Sequence, residues 1–181
     1  MKILKKMCHI VLKIPIHGVI GKIFNYSFPV LYSRYTYKYL KFLGINFTGV
    51  PNFIAGDVDF DSSNYSLITI GKGTVISKGV MLLTHDFSIA RGLQAAGIDY
   101  TTWGGIPHFL KTIEIGDNCF IGARTIILPG TSIGDNSIIG AGSVIKGTFG
   151  ENNIICGNPA KIFKKTDEWA LKKYQEKDYI L

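Results

Sequence analysis

The sequence predicts an all-β solenoid, preceded by a helical segment, interrupted by one long loop and followed by a short helix. Three observations carry this prediction. Isoleucine recurs at 115, 121, 127, 133, 139 and 145, a strict period of six. Glycine follows it at 116, 122, 134 and 140, and a small residue comes four places on, at Cys119, Thr125, Thr131, Ser137 and Ser143. Neither a helix, with its period of 3.6, nor a half-buried strand, with its period of 2, generates such a pattern. A fixed short period marks a solenoid in which each sixth residue returns to the same place on a coil wall. The isoleucines then face inward, the small residues fit where the chain bends, and glycine or Asp-Asn tolerates the dihedrals of the turn. Three hexapeptides make a triangular coil, so residues 115–150 supply about two coils.

Taken in order, residues 1–48 form a distinct segment. It is rich in aromatics (Phe24, Tyr26, Phe28, Tyr32, Tyr35, Tyr37, Tyr39, Phe42), and the first 56 residues carry seven lysines, Arg34 and no acid. They therefore hold +8 of a formal net charge of +7, leaving −1 on the remainder. A repeat body without basic excess argues against a nucleic-acid-binding solenoid. Helix is expected over Ile3–Ile14 and Pro29–Leu43, with a break at Pro15 and Gly18. Lys13, Pro15 and Lys22 keep any apolar run short of the roughly 18–20 residues of a membrane span, and no small-residue cleavage site follows an apolar core as in a signal peptide. Two readings stay open: a helical cap over the first coil, or an arm lying on an anionic membrane surface.

The solenoid proper is assigned to residues 49–165. Its repeat starts faintly, with Val58 and Asn64 in register with Ile70, and continues through Ile76 and Leu82. The 33 residues from Leu82 to Ile115 are not a multiple of six. Residues 88–111 must therefore leave the wall as a loop, rich in turn-forming glycine and carrying Tyr100, Trp103, His108 and Phe109. Residues 166–181 read as a short amphipathic helix, N-capped by Thr166 or Asp167, with Trp169 and Tyr174 on its packing side. Cys8, Cys119 and Cys156 show neither metal spacing nor even pairing, which favours a reduced, cytoplasmic setting. Cys119 occupies a small-residue slot and reads as packing.

Thr84-His85, the run from Ile113 to Ile145, and Gly157-Asn158-Pro159-Ala160-Lys161 together resemble the hexapeptide-repeat acyltransferases. Within that family the similarity is to the galactoside, maltose and capsular-polysaccharide O-acetyltransferases. The resemblance implies a left-handed parallel β-helix, an exception to right-handed crossovers, and acetyl transfer from acetyl-CoA. His85 matches the family's catalytic histidine, the general base that takes the proton of a sugar hydroxyl and returns it to the departing thiolate. Counting back in register from Ile70 puts Asp57 where relatives have an asparagine, with Asp59 two residues on; either would orient His85. Tyr100, Trp103 and His108 are candidates for contacting the acceptor.

By the same resemblance the pantetheine arm lies in a groove between subunits. Phe120 stands there for a common tryptophan, the amide of Ala123 is the oxyanion donor, and Ala141 and Gly142 flank the arm. Lys146 lies just beside the family's threonine-lysine pair and stands in for it, and Lys161 and Lys164 match the basic positions that meet the nucleotide's phosphates. No metal is expected, since only His85 and His108 lie in the relevant region and a catalytic zinc site commonly uses three protein ligands. A three-sided coil with a groove at each edge suits a homotrimer.

The expected function is O-acetylation of a sugar or a cell-surface polysaccharide precursor by direct attack. N-acetylation of an amino sugar, nucleotide sugar or antibiotic is the enzymatic alternative. A non-catalytic β-helix scaffold is the other, and it would be expected to lack the histidine or the CoA motif.

Overall fold

A computed structural model describes residues 27–61 and 64–180 of the chain, so the expected helix over Ile3–Ile14 lies outside the described residues. Short strands wind into three parallel sheets. One face stacks β1 (Asn46–Phe47), β4 (Ile68–Ile70), β9 (Ile113–Ile115), β12 (Ser132–Ile133) and β15 (Thr148–Phe149). A second stacks β2 (Phe53–Ile54), β5 (Val75–Ile76), β10 (Phe120–Ile121), β13 (Ile138–Ile139) and β16 (Asn153–Gly157). The third stacks β3 (Asp59–Phe60), β6 (Met81–Leu82), β11 (Ile126–Ile127) and β14 (Val144–Ile145). Successive strands visit the three faces in turn, so this is the three-sided parallel β-helix that the hexapeptide period predicts.

Inward residues line up from coil to coil on each face. Ile70, Ile115 and Ile133 on the first face, Ile54, Ile76, Ile121, Ile139 and Ile155 on the second, and Leu82, Ile127 and Ile145 on the third are at most 2% exposed. Parallel register places each directly over its equivalent one coil away, as with Ile121 beside Ile76 and Ile139. The small residues are buried at the bends, where their side chains donate to backbone carbonyls. Thr131 Oγ1 donates to the carbonyls of Leu128 and Ile145, and Ser143 Oγ to that of Gly140. Cys119 does the same with its thiol toward the Gly134 carbonyl. Burial pushes that thiol's pKa up, in keeping with a packing role.

Where glycine follows the isoleucine, it serves a purpose other than the expected turn dihedral. A Cβ on Gly134 would lie 2.4 Å from the Glu151 nitrogen and 2.6 Å from the Gly150 carbonyl carbon, inside the backbone of the next coil. The left-handed residues come two places later, at Asn118, Asn136 and Asn152, with φ of 53°, 55° and 61°. Asparagine tolerates that conformation through its short side chain.

Helix α1 (Pro29–Leu43) forms where the sequence places it, begins with Pro29, and ends at Gly44, which has φ 116°. Tyr32, Tyr39, Leu40 and Leu43 on its inner face join the solenoid core at the first coil. The upstream register differs from expectation. Inward positions before Ile70 are Phe47, Ile54 and Phe60, as their pairing with Ile70, Ile76 and Leu82 shows. Ten residues rather than six separate Phe60 from Ile70. The extra chain includes a 3₁₀ turn at Tyr65–Leu67 whose leading residue, Asn64, accepts a hydrogen bond from the Ser66 backbone nitrogen. Asn64 is therefore an exposed cap, not a wall residue.

The excursion after Leu82 is more ordered than the bare loop expected. Strand β7 (His85–Asp86) pairs antiparallel with β8 (Phe109–Leu110) at its neck, and helix α2 (Ser88–Ala95) begins just beyond β7. At the other end, Gly157-Asn158-Pro159-Ala160 turns the chain into an antiparallel hairpin between β16 and β17 (Ala160–Lys165), through a cis Asn158–Pro159 bond. Helix α3 (Thr166–Glu176) follows. Lys165 is its N-cap residue, with no side-chain cap, in place of Thr166 or Asp167. Trp169 and Tyr174 do not pack inward: they are 36% and 68% exposed, and the Tyr174 ring stacks on Tyr179.

Gly134→Ala is expected to destabilise the fold by about 2 kcal/mol or more, because backbone rather than a flexible side chain must give way. Gly92→Ala, inside α2 with nothing within 4 Å of the new Cβ, is expected to be neutral or stabilising by up to about 1 kcal/mol. Urea denaturation of the two variants checks both.

Candidate active site

His85 stands where the coil ends and the excursion departs, and its partner is a carboxylate from the coil below. Phe60 pairs with Leu82, which brings Asp61 alongside the chain leaving β6; the Asp61 nitrogen donates to the Leu82 carbonyl at 3.0 Å. Its carboxylate points back in, with the side chain 3% exposed. A carboxylate so buried needs partners, and one oxygen, Oδ2, receives four. These are the backbone nitrogen of Thr84 at 3.0 Å, the Thr84 hydroxyl at 2.9 Å, the backbone nitrogen of His85 at 3.1 Å, and His85 Nδ1. The first three fix the carboxylate; the fourth fixes the imidazole. With Nδ1 donating to Asp61, Nε2 is the nitrogen left as acceptor, and the His85 side chain is 34% exposed.

Asp61 takes the position that the sequence reading gave to Asp57 or Asp59. Both of those are exposed. The correction is the register shift of the first coil: the four-residue surplus between Phe60 and Ile70 moves every upstream position. Asp86, next to His85, turns away and accepts from the Ser88 backbone nitrogen at 2.8 Å, at the start of α2. That hydrogen bond and one from the Ser88 side chain hold its carboxyl below the usual range, with Lys146 and His85 adding to the effect.

The excursion builds a wall beside the imidazole. The Phe87 ring meets His85 edge-on at 5.2 Å between centroids and lies 4.8 Å from the ring of His108. His108 is thus brought to the neighbourhood of His85 through Phe87. Tyr100 and Trp103 pack on each other at 6.2 Å, and Arg91 donates to the Tyr100 hydroxyl at 2.7 Å. The Thr84 carbonyl accepts from Lys111 at 2.9 Å, which ties the loop's return to its departure.

The donor-site candidates fall on other parts of the prism. Phe120, half-exposed, points outward from β10 on the second face. Ala123 lies in the bend between the second and third faces, and Ala141 and Gly142 lie in the same bend one coil on; the Gly142 nitrogen donates to the Ala123 carbonyl at 2.8 Å. His85, Asp61 and Lys146 follow strands of the third face, at the next edge. One chain therefore gathers His85, Asp61, Lys146 and His108 at one edge and Ala123, Ala141 and Gly142 at another. Lys161 and Lys164 project from β17, with the Lys164 ammonium 4.7 Å above the Phe163 ring.

Sequence comparison bears on these residues. A model described as "Hexapeptide repeat of succinyl-transferase" matches residues 112–146. Protein CapG of Staphylococcus aureus is 36% identical over 140 residues, which are 77% of this chain and 77% of CapG. The chain belongs to the hexapeptide-repeat acyltransferase family. WbbJ of Escherichia coli K12, whose name assigns it as an O-acetyl transferase of lipopolysaccharide biosynthesis, is 35% identical over 103 residues, 54% of this chain and 50% of WbbJ. While it spans most of CapG, the chain spans about half the length of other curated relatives that it matches. Among solved structures, a galactoside acetyltransferase in complex with coenzyme A superposes with a TM-score of 0.62 at 20% identity, covering 93% of this chain and 84% of that one. This likeness shows the family's left-handed β-helix.

Within that family frame, three residues of this chain's site escape a reading of the repeat. Asp61 lies in the first coil, where the period is faint. Phe87 follows the His-Asp pair without a pattern of its own. Arg124, beside Ala123, adopts φ 58° where sister bends use asparagine or glycine. For Arg124 the signal in the sequence is an arginine at the slot where the sister bends carry Gly79 and Gly142.

Removing the carboxylate strands all four of these buried or half-buried donors. Asp61→Ala is expected to cost about 3 kcal/mol in urea denaturation. Asp57→Ala and Asp59→Ala, both at exposed positions, are expected to change stability by less than about 0.5 kcal/mol.

Proposed function

We propose that the chain transfers acetyl from acetyl-CoA to a hydroxyl of a saccharide, with His85 as general base and Asp61 as the residue that orients it. The observation that carries this reading is the Asp61–His85 pair at the mouth of the excursion. A sugar hydroxyl ionises far above neutral pH, so it needs a base aimed at it, and a carboxylate on Nδ1 leaves Nε2 aimed outward for that task. As the acceptor oxygen attacks the thioester carbonyl, Nε2 takes its proton. The tetrahedral oxyanion is stabilised by a backbone N–H, for which Ala123 is the candidate. Collapse breaks the carbon–sulfur bond, and the imidazolium returns the proton to the CoA thiolate. Asp61 holds the ring throughout and stabilises its charged form.

His85 and Ala123 occupy different edges of one prism. A site that uses both is completed by the neighbouring copy, and threefold closed symmetry joins unlike edges in this way. We therefore read the working form as a homotrimer, with the pantetheine arm in the groove along Phe120, Ala123, Ala141 and Gly142. Lys146, Lys161 and Lys164 are the cations proposed for the nucleotide end. Tyr100, Trp103 and His108 are assigned to the acceptor. The carbohydrate class is supported by the names of WbbJ and the galactoside acetyltransferase.

Thiol release from acetyl-CoA, measured against a panel of sugars, nucleotide sugars and amino sugars, tests the reading. Turnover with a hydroxyl acceptor is expected, and His85→Ala should lower it by at least about 10²-fold with little change in KM for acetyl-CoA. Asp61→Asn should lower kcat by about 10-fold or more, while Asp57→Asn and Asp59→Asn stay near wild type. An active His85→Ala enzyme would refute the mechanism, and turnover confined to amines would replace O- by N-acetylation.

A further inference from the structure

The residues of helix α1 divide by angle. At about 100° per residue, Tyr32, Ser33, Thr36, Tyr39, Leu40 and Leu43 fall on one side, and all six are buried. Leu31, Arg34, Lys38 and Lys41 fall on the opposite side within about 80° of one another, and all four are exposed. The inner face settles the cap: α1 packs on the first coil and shares its core. The outer cationic stripe faces away from that core, and among its cations the Lys41 ammonium lies 5.8 Å from the Tyr37 ring of the same helix. The stripe is also rigidly presented, because the buried face opposite anchors it.

We infer that this outer stripe of α1 is a docking surface for an anionic lipid bilayer. Charge complementarity selects the occupant. The first acid in the chain is Asp57, so Arg34, Lys38 and Lys41 have no internal anion on their own segment, and residues 1–26 contribute five further lysines and no acid. Leu31, 54% exposed at the stripe's margin, gives the surface an apolar contact of the kind that lies at the headgroup boundary. Among the described residues no helix is long and apolar enough to cross a membrane, so the contact proposed is peripheral. The helix that carries the stripe caps the first coil, the coil that supplies Asp61. The inference stands on charge and burial and does not depend on the acetyl-transfer reading.

Co-sedimentation of the full-length chain with phosphatidylglycerol-containing vesicles tests it. Binding is expected at low salt, with release at about 0.5 M salt, where screening shortens to a few ångströms, and no binding to pure phosphatidylcholine. Each cation near such a surface is worth about fivefold, so Arg34→Gln, Lys38→Gln and Lys41→Gln should each weaken partition about fivefold and together about 100-fold. Lys172→Gln with Lys177→Gln, on the distant carboxy-terminal segment, should change nothing. Failure to sediment, equal binding to neutral vesicles, or undiminished binding by the triple variant would overturn the proposal. Tighter binding to transfer RNA than to the anionic vesicles would replace the lipid by a nucleic acid.

Discussion

Adjacent coils of this protein sit one parallel-strand hydrogen bond apart, about 4.8 Å, and that spacing dictates the rest. At this distance an isoleucine stacks directly on the isoleucine of the next coil, and most strands need only one inward residue to fill the core. The next residue must be glycine wherever two backbones cross, because a Cβ on Gly122 or Gly134 would enter the neighbouring main chain. The bend then closes with a small side chain that donates to a carbonyl above or below. The hexapeptide is thus a consequence of the stacking distance.

The site inherits the same constraint. A residue one coil below another is within hydrogen-bond reach of it, and Asp61 uses that reach to grip Thr84 and His85 from beneath. Three of its four bonds go to groups that hold the carboxylate still, so the imidazole is oriented by the scaffold and not by the excursion. The excursion supplies shape instead: Phe87 walls the imidazole and carries His108 with it. The constraint also divides labour between edges. Residues following third-face strands and residues of the preceding bend lie at different edges of the prism, and it is on this division that the proposed second copy rests.

Much of this was legible in the residues. The six-fold period gave the coil and its wall from Ile70 onward, the broken spacing after Leu82 gave the excursion, and Pro29 with Gly44 bracketed a helix that forms as expected. The first coil was not legible, for a physical reason. Phe47 and Phe60 replace isoleucine inside, and a four-residue surplus with its own 3₁₀ turn separates that coil from the next. Counting in sixes therefore selected Asp57 and Asp59, four and two residues short of the aspartate that pairs with His85. Helix α2 was hidden by Gly92 and Gly97, read as turn-formers, although Asp86 and Ser88 ahead of an alanine-rich stretch signal a helix start. The packing face expected of α3 failed because Trp169 and Tyr174 enter no core among the described residues.

The central claim is that Asp61 fixes His85 with Nδ1 protonated and Nε2 bare, and the tautomer can be read directly. Nitrogen-15 NMR of histidine-labelled protein distinguishes the two ring nitrogens, with His85→Gln identifying the resonances. The predicted result is a protonated Nδ1 and an unprotonated, outward Nε2 in the neutral ring, with the preference lost in Asp61→Asn. A His85 whose neutral form carries its proton on Nε2, or whose tautomer is indifferent to Asp61→Asn, would contradict the account.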